Sequence, residues 1–266
     1  MSRVLNLVLS HEGAGRITPL HEWWLHFAAE DDLLLAYGGP AEQFSSLPFA
    51  NKVFVTDPRL RTRDHPLDRQ SYTGVFQQAC SWLQNQEHSH ICFAEFDHLP
   101  IAPDFSQRLL DRLSEERADV LAHHLRRIDG TSDPHYLYEA SRSDFHSVWE
   151  RLSCRRDVST VLAMVATGSF WTRDAFAAAA AHEEPLPIYL EMYLPTLVHH
   201  LGFRVRDLPD QNRFVRVWGD RGEEIPQAAA EGAWLLHPVK TIKPEYFAHL
   251  SAPPHGVRQK TSSAIG

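Results

Sequence analysis

Cysteine is scarce: three in 266 residues, at positions 80, 92 and 154, with no Cys-x-x-Cys pair among them. An odd, scattered count excludes a disulfide scaffold and gives the expectation of a reducing compartment. Long apolar runs are missing as well. The first run, residues 4–9, is too short for the core of a secretory signal and has no cleavage site. No run approaches the roughly 18 to 20 residues that span a bilayer. The resulting expectation is a cytoplasmic protein with no membrane span. Excess positive charge is also absent: 26 Lys and Arg stand against 34 Asp and Glu, a formal charge of -8, which argues against non-specific nucleic-acid binding. There is no internal repeat, no long low-complexity segment, no His-Glu-x-x-His and no Cys/His cluster with zinc spacing. The 17 histidines include the adjacent pairs His123-His124 and His199-His200, whose side chains point apart on a strand or a helix. Gly13 and Gly15 complete neither a dinucleotide Gly-x-Gly-x-x-Gly nor a phosphate-loop Gly-x-x-x-x-Gly-Lys-Ser/Thr, so neither NAD binding nor ATP hydrolysis is favoured.

What is present is an alternation of short apolar runs with helical patterns. Residues 4–9, 33–37, 52–56, 90–94, 119–122, 161–166, 203–205 and 234–236 read as strands. Helices are expected from Thr18-Pro19 to about residue 29, with Thr18 as N-cap, and over 71–86, 104–116, 141–153, 172–182 and 189–201, the last closed by Gly202. This pattern predicts an α/β protein with a mostly parallel central sheet flanked by helices. One domain is expected over residues 1–250, with 251–266 a frayed tail.

In such sheets ligands collect outside the carboxyl ends of the strands. Glu95-Phe96-Asp97 stands at one such end. The two acids either cap a turn or hold a hard divalent cation, since Mg²⁺ and Mn²⁺ favour carboxylate and phosphate oxygens. The basic stretch 59–69, with Arg59, Arg61, Arg63, His65 and Arg69, is either a solvated loop or a source of arginines that close over a diphosphate.

An apolar strand, then Glu95-Phe96-Asp97, then His98-Leu99-Pro100-Ile101 resembles the acidic Asp-x-Asp signature of glycosyltransferases with the nucleotide-diphospho-sugar transferase fold. Glu95 departs from the strict motif, which leaves Asp97 as the closer match. Thr167-Gly168-Ser169-Phe170 looks like the segment that lines the sugar and acceptor site, although Gly168 also reads as a turn glycine. Glu191 resembles the acid that serves as base in inverting members, although it also suits a helix first turn, and Glu183 and Glu184 are rivals. His237, in Trp234-Leu235-Leu236-His237-Pro238-Val239-Lys240, resembles the late histidine that binds metal or diphosphate. It also reads as a half-buried histidine beside Lys240. The resemblance spans about residues 4–240 and implies a Rossmann-like nucleotide-diphospho-sugar transferase fold. It further implies Mn²⁺ or Mg²⁺ on Glu95, Asp97 and His237, and a nucleotide-diphosphate sugar donor contacted by Ser10, Asp57, Arg63, Glu95, Asp97, Gly168, His237 and Lys240. Glu191 would be the base for an unknown hydroxyl acceptor, and the reaction would invert configuration. Phe170, Trp171, Tyr189 and Tyr193 could stack on a sugar, but aromatics at helical spacing are more often core. The rival readings are a sugar-phosphate nucleotidyltransferase, for which residues 10–16 form a poor phosphate segment, and a non-catalytic nucleotide-sugar binder of the same fold.

Overall fold

The computed structural model describes residues 3–62, 64, 67, 72–132, 135, 138, 156, 157, 159–182, 188–216 and 218–250. The expected helix 141–153 and the tail 251–266 lie outside them.

Val4–Ser10 (β1) and Leu33–Tyr37 (β2) are buried at every position. Strands covered on both faces need no polar alternation, which is why these read as unbroken apolar runs. Lys52–Phe54 (β3) and His90–Glu95 (β4) follow. β1 lies between β2 and β4, with β3 beyond β2, and all four are parallel. The remaining strands are Leu99–Pro100 (β5), Val120–Arg127 (β6), Leu162–Thr172 (β7), Val205–Asp207 (β8) and Leu235–Leu236 (β9). The main sheet has the order β3-β2-β1-β4-β7-β6-β8, and β5 and β9 pair separately. β7 runs antiparallel to both β4 and β6, while β8 is parallel to β6. The expected mostly parallel sheet is therefore present, with one reversed strand.

Helices cover both faces. Ala14–Trp24 (α1) and Phe105–Glu115 (α3) close one side, where Trp23, Trp24 and Phe105 are fully buried. Tyr72–Leu83 (α2), Arg173–Ala180 (α4) and Leu190–His200 (α5) close the other, and Phe76 stacks on Phe176 at 4.3 Å between ring centroids. A short helix, Ile225–Ala230 (α6), precedes β9.

β5 and α6 have no counterpart in the sequence reading, and three of the expected elements depart from it. α1 begins at Ala14 rather than after Thr18, and ends at Trp24, so Pro19 sits inside it. The buried stripe Ile17, Leu20, Trp23 and Trp24 holds the helix together despite the missing N–H of proline. Thr18 is no cap; its hydroxyl donates back to the Ala14 carbonyl at 3.0 Å. β6 continues past Ala122 to Arg127. β7 does not break at Gly168. It bulges there, with a register shift against β6 between Leu121 and His123, and Gly168 takes φ +74°.

Candidate functional site

The chain adds β2 and β3 on one side of β1, then crosses back to place β4 on the other. Such a reversal opens a crevice at the carboxyl ends of the two strands, here β1 and β4. A cleft of about 350 Å³ lies at this edge, lined among others by Glu12, Arg16, Tyr72, Glu95, Asp97 and Lys240.

Glu95 closes β4 opposite Leu9 of β1, and its Oε1 accepts a hydrogen bond from the Tyr72 hydroxyl at the start of α2. The backbone then turns, with the Phe96 N–H bonding to the Leu9 carbonyl at 2.9 Å and the His98 N–H to the Glu95 carbonyl at 3.0 Å. This turn carries Asp97 inward to 1% exposure. The β5–β9 ladder lays residues 237–240 against the same turn, where the Val239 N–H donates to the Asp97 carbonyl at 2.7 Å. Lys240 Nζ forms an ion pair with Asp97 Oδ2, and His237 Nε2 lies 3.5 Å from Oδ1. Burial alone would raise the Asp97 pKa, but the facing His237 ring and the Lys240 ammonium outweigh it and hold the carboxyl below its usual range.

Behind Asp97 lies an imidazole cluster. The His98 ring sits 5.6 Å from His123 and 5.5 Å from His237, centroid to centroid. His98 and His123 are fully buried, and among the described residues no group meets their ring nitrogens at good hydrogen-bond geometry, the Asn212 side chain being a weak neighbour of His123. Burial, reinforced by the neighbouring imidazoles, pushes the His98 pKa well down and that of His123 to about 3. Both are thus neutral in the fold but titrate near pH 6.5 when unfolded. Below that pH the unfolded chain takes up protons that the fold refuses, so stability falls as pH drops. Urea unfolding should show a loss of about 2–3 kcal/mol between about pH 7.5 and 5.5 for the pair, with a shallower slope in His123→Gln. A flat profile would contradict the neutral cluster.

The structure brings Glu95, Asp97, His237 and Lys240 together. Gly168 reaches them from behind: a Cβ on it would lie 2.0 Å from His98 Cε1. It is a close-packing glycine under the site. Ser10 is fully buried and its hydroxyl accepts the Glu12 N–H at 3.1 Å, so it shapes the loop that lines the cleft. Asp57 holds Arg59, accepting from its backbone N–H at 3.0 Å and from Nη2 at 2.6 Å. Arg61 bonds the carbonyls of Gly39 and Val55. These two arginines pin their own loop. Arg63, Arg69, Glu183 and Glu184 lie outside the described residues. Glu191 opens α5 and is not among the residues lining this cleft; its Oε2 lies 3.1 Å from His135 Nε2. Phe170 and Trp171 are core, fully buried, and Tyr189 and Tyr193 are nearly so. Sequence reasoning missed Tyr72, His98 and His123. His98 directly follows the acid pair and could have been suspected; nothing local marks Tyr72.

The residues do not fit a metal held jointly by Glu95, Asp97 and His237. Tyr72 donates to Glu95 Oε1, an ammonium sits on Asp97 Oδ2, and the Asp97 side chain, though at the cleft wall with no hydrogen bond to its Oδ1 among the described residues, is only 2% exposed, which leaves little room for a cation that keeps several waters. Among the described residues no three His, Cys, Asp or Glu side chains are placed to share a metal ion.

No family model matches the chain, and no curated protein matches it. Solved structures of similar shape include CMP:2-keto-3-deoxy-manno-octonic acid synthetase complexed with CTP, 12% identical over 78% of this chain and 89% of that one, with a TM-score of 0.42. Core-mannan synthase A from Aspergillus fumigatus, in a Mn/GDP form, is 11% identical over 78% and 73% of the two chains, with a TM-score of 0.39. S. aureus TarS 1–349 is 10% identical over 93% and 63%, with a TM-score of 0.41. At these identities and TM-scores none of them assigns a substrate or a residue role to this chain. Among the described residues no helix is long and apolar enough to cross a membrane.

Proposed function

We propose that the chain is a glycosyltransferase that moves a sugar from a nucleotide-diphosphate donor to a hydroxyl acceptor with inversion. The observation that carries this reading is the convergence of a buried carboxylate, an ammonium and an imidazole at the β1/β4 switch point, beside a cleft large enough for a diphosphate. In the reaction the acceptor oxygen bonds to the anomeric carbon as the bond from that carbon to the β-phosphate oxygen breaks. The electron pair leaves with the diphosphate, and positive groups facing it stabilise the growing charge. Lys240 is the nearest such group, Arg16 lines the same cleft, and His237 supports Asp97 from behind. The acceptor's proton passes to a carboxylate, for which Glu191, oriented by His135, is the candidate.

Incubation with UDP-, GDP-, ADP-, CDP- and dTDP-sugars tests this reading. Slow release of nucleoside diphosphate from one of them is expected even without acceptor. Release of pyrophosphate from a nucleoside triphosphate and a sugar phosphate would favour the nucleotidyltransferase reading instead. Glu191→Gln should lower transfer by roughly 10²- to 10⁴-fold, the usual contribution of a general base, and leave the affinity for nucleoside diphosphate unchanged. Unimpaired transfer in this variant would remove Glu191 from the mechanism.

A further inference from the structure

Resting on that donor-site reading, we infer that the diphosphate binds without a divalent metal, with the Lys240 ammonium standing in the place a metal would take between Asp97 and the phosphates. Lys240 is not a stray surface side chain. Its backbone N–H donates to Asp220 Oδ1 at 3.1 Å, and the preceding Val239 N–H donates to the Asp97 carbonyl at 2.7 Å. Further back, the His237 N–H bonds to the Phe214 carbonyl at 3.1 Å, the Arg216 N–H to the His237 carbonyl at 3.2 Å, and the Arg221 N–H to the Pro238 carbonyl at 2.7 Å. Residues 237–240 are therefore tied to the acidic turn on one side and to residues 214–221 on the other. That double anchorage fixes where the lysine starts, and its Nζ reaches back over the Phe96 ring, 5.6 Å from the centroid, onto Asp97.

A divalent cation here would have to share Glu95 with the Tyr72 hydroxyl and displace the ammonium from Asp97, and would be repelled by that ammonium at short range. The lysine side chain is half exposed and lines the cleft, whereas the Asp97 side chain is enclosed. The group that a diphosphate entering from solvent meets is thus the ammonium, with Asp97 behind it as the counter-charge that holds it in place. Arg16, half exposed on the same cleft and 2.8 Å from Glu12, is a second cation within the lining. Lys240 contacts the leaving group directly; Asp97 and His237 are positioning residues.

Thermal midpoints of the whole protein, measured with millimolar UDP, GDP, ADP, CDP and dTDP in EDTA and again in MnCl₂, test this. One diphosphate should raise the midpoint by the same amount in both buffers. The shift should vanish in Lys240→Ala and in the length-conserving Lys240→Met, and survive in part in Lys240→Arg. A shift seen only with Mn²⁺ overturns the metal-free site while leaving the donor reading intact. No shift in either buffer overturns both. A full shift in EDTA for a folded Lys240→Met overturns the role of Lys240. The comparison of the two buffers needs no variant, so it decides even if the substitutions fail to fold.

Discussion

Lys240→Ala should lose both stability and turnover, and adding Asp97→Asn should return only the stability. Removing the lysine leaves the Asp97 carboxylate, 2% exposed at its side chain, without its cation. Breaking a fully buried pair in this way costs about 3–5 kcal/mol. The lysine end is half exposed, so water can replace part of what it supplied, and about 1–3 kcal/mol is the appropriate scale. For a chain of this size that lowers the thermal midpoint by several degrees, at roughly 2–4 °C per kcal/mol. A neutral amide at position 97 needs no counter-ion, so the double variant should melt within about 1 kcal/mol of wild type, a strong positive coupling in a double-mutant cycle. Turnover behaves differently. Losing one preorganised cation from the developing charge lowers kcat by about 10²- to 10³-fold, and nothing in the double variant replaces it. Denaturant melts and donor-hydrolysis rates on the four proteins read the two effects separately. If Lys240→Ala melts and turns over like wild type, the ion pair is not the working charge of the site.

Gly168→Ala should be among the most damaging single-atom changes available in the core. Two penalties coincide there. The backbone is at φ +74°, where an L side chain is strained, and the new Cβ would meet His98 Cε1 at 2.0 Å and Nε2 at 2.1 Å. His98 is fully buried and cannot swing into solvent, so either the ring or the bulge in β7 must move. Left-handed strain costs about 1 kcal/mol and overpacking a closed site about 1–3 kcal/mol more, so a loss of about 2–4 kcal/mol is expected in urea unfolding. Gly202→Ala is the control. Its φ is +101°, but no atom of the described residues lies within 4 Å of the added one, so only the backbone penalty of about 1 kcal/mol applies. Because His98 abuts His237, the Gly168 variant should also impair donor binding, whereas the Gly202 variant should not. Equal effects of the two substitutions would show that the contact with His98 is unimportant.

The two cases differ in how far the sequence could reveal them. β1, β2 and β4 were readable because burial on both faces turns them into continuous apolar runs, and the strand-end position of Glu95 and Asp97 follows from β4 alone. The division of the histidine pair also follows from geometry: His123 is buried in β6 while its neighbour His124 faces out. Local signals misled where a long-range contact overrode them. Thr18-Pro19 has the chemistry of a helix start, yet the apolar stripe through Ile17 and Trp24 carries the helix across it. Gly168 has the chemistry of a strand end, yet it marks a bulge whose reason lies 70 residues away in His98, which the sequence does not connect to it. The Asp97–Lys240 pair spans 143 residues and depends on the short β5–β9 ladder, so no window of sequence contains it. That is why the acid pair stays open between a turn cap and a metal site in sequence, whereas the fold puts the Tyr72 hydroxyl on Glu95 and the Lys240 ammonium on Asp97.

By the proposed function, the β1/β4 cleft holds the diphosphate of a nucleotide sugar. Calorimetric titration of the wild-type chain with UDP, GDP, ADP, CDP and dTDP tests it most directly, with Mn²⁺ present so that a metal requirement cannot hide binding. Saturable binding of one of them at one site per chain is expected, weakened in Lys240→Ala by at least about tenfold, or about 1.4 kcal/mol. Absence of binding by all five at millimolar concentration, with the protein folded, would contradict it.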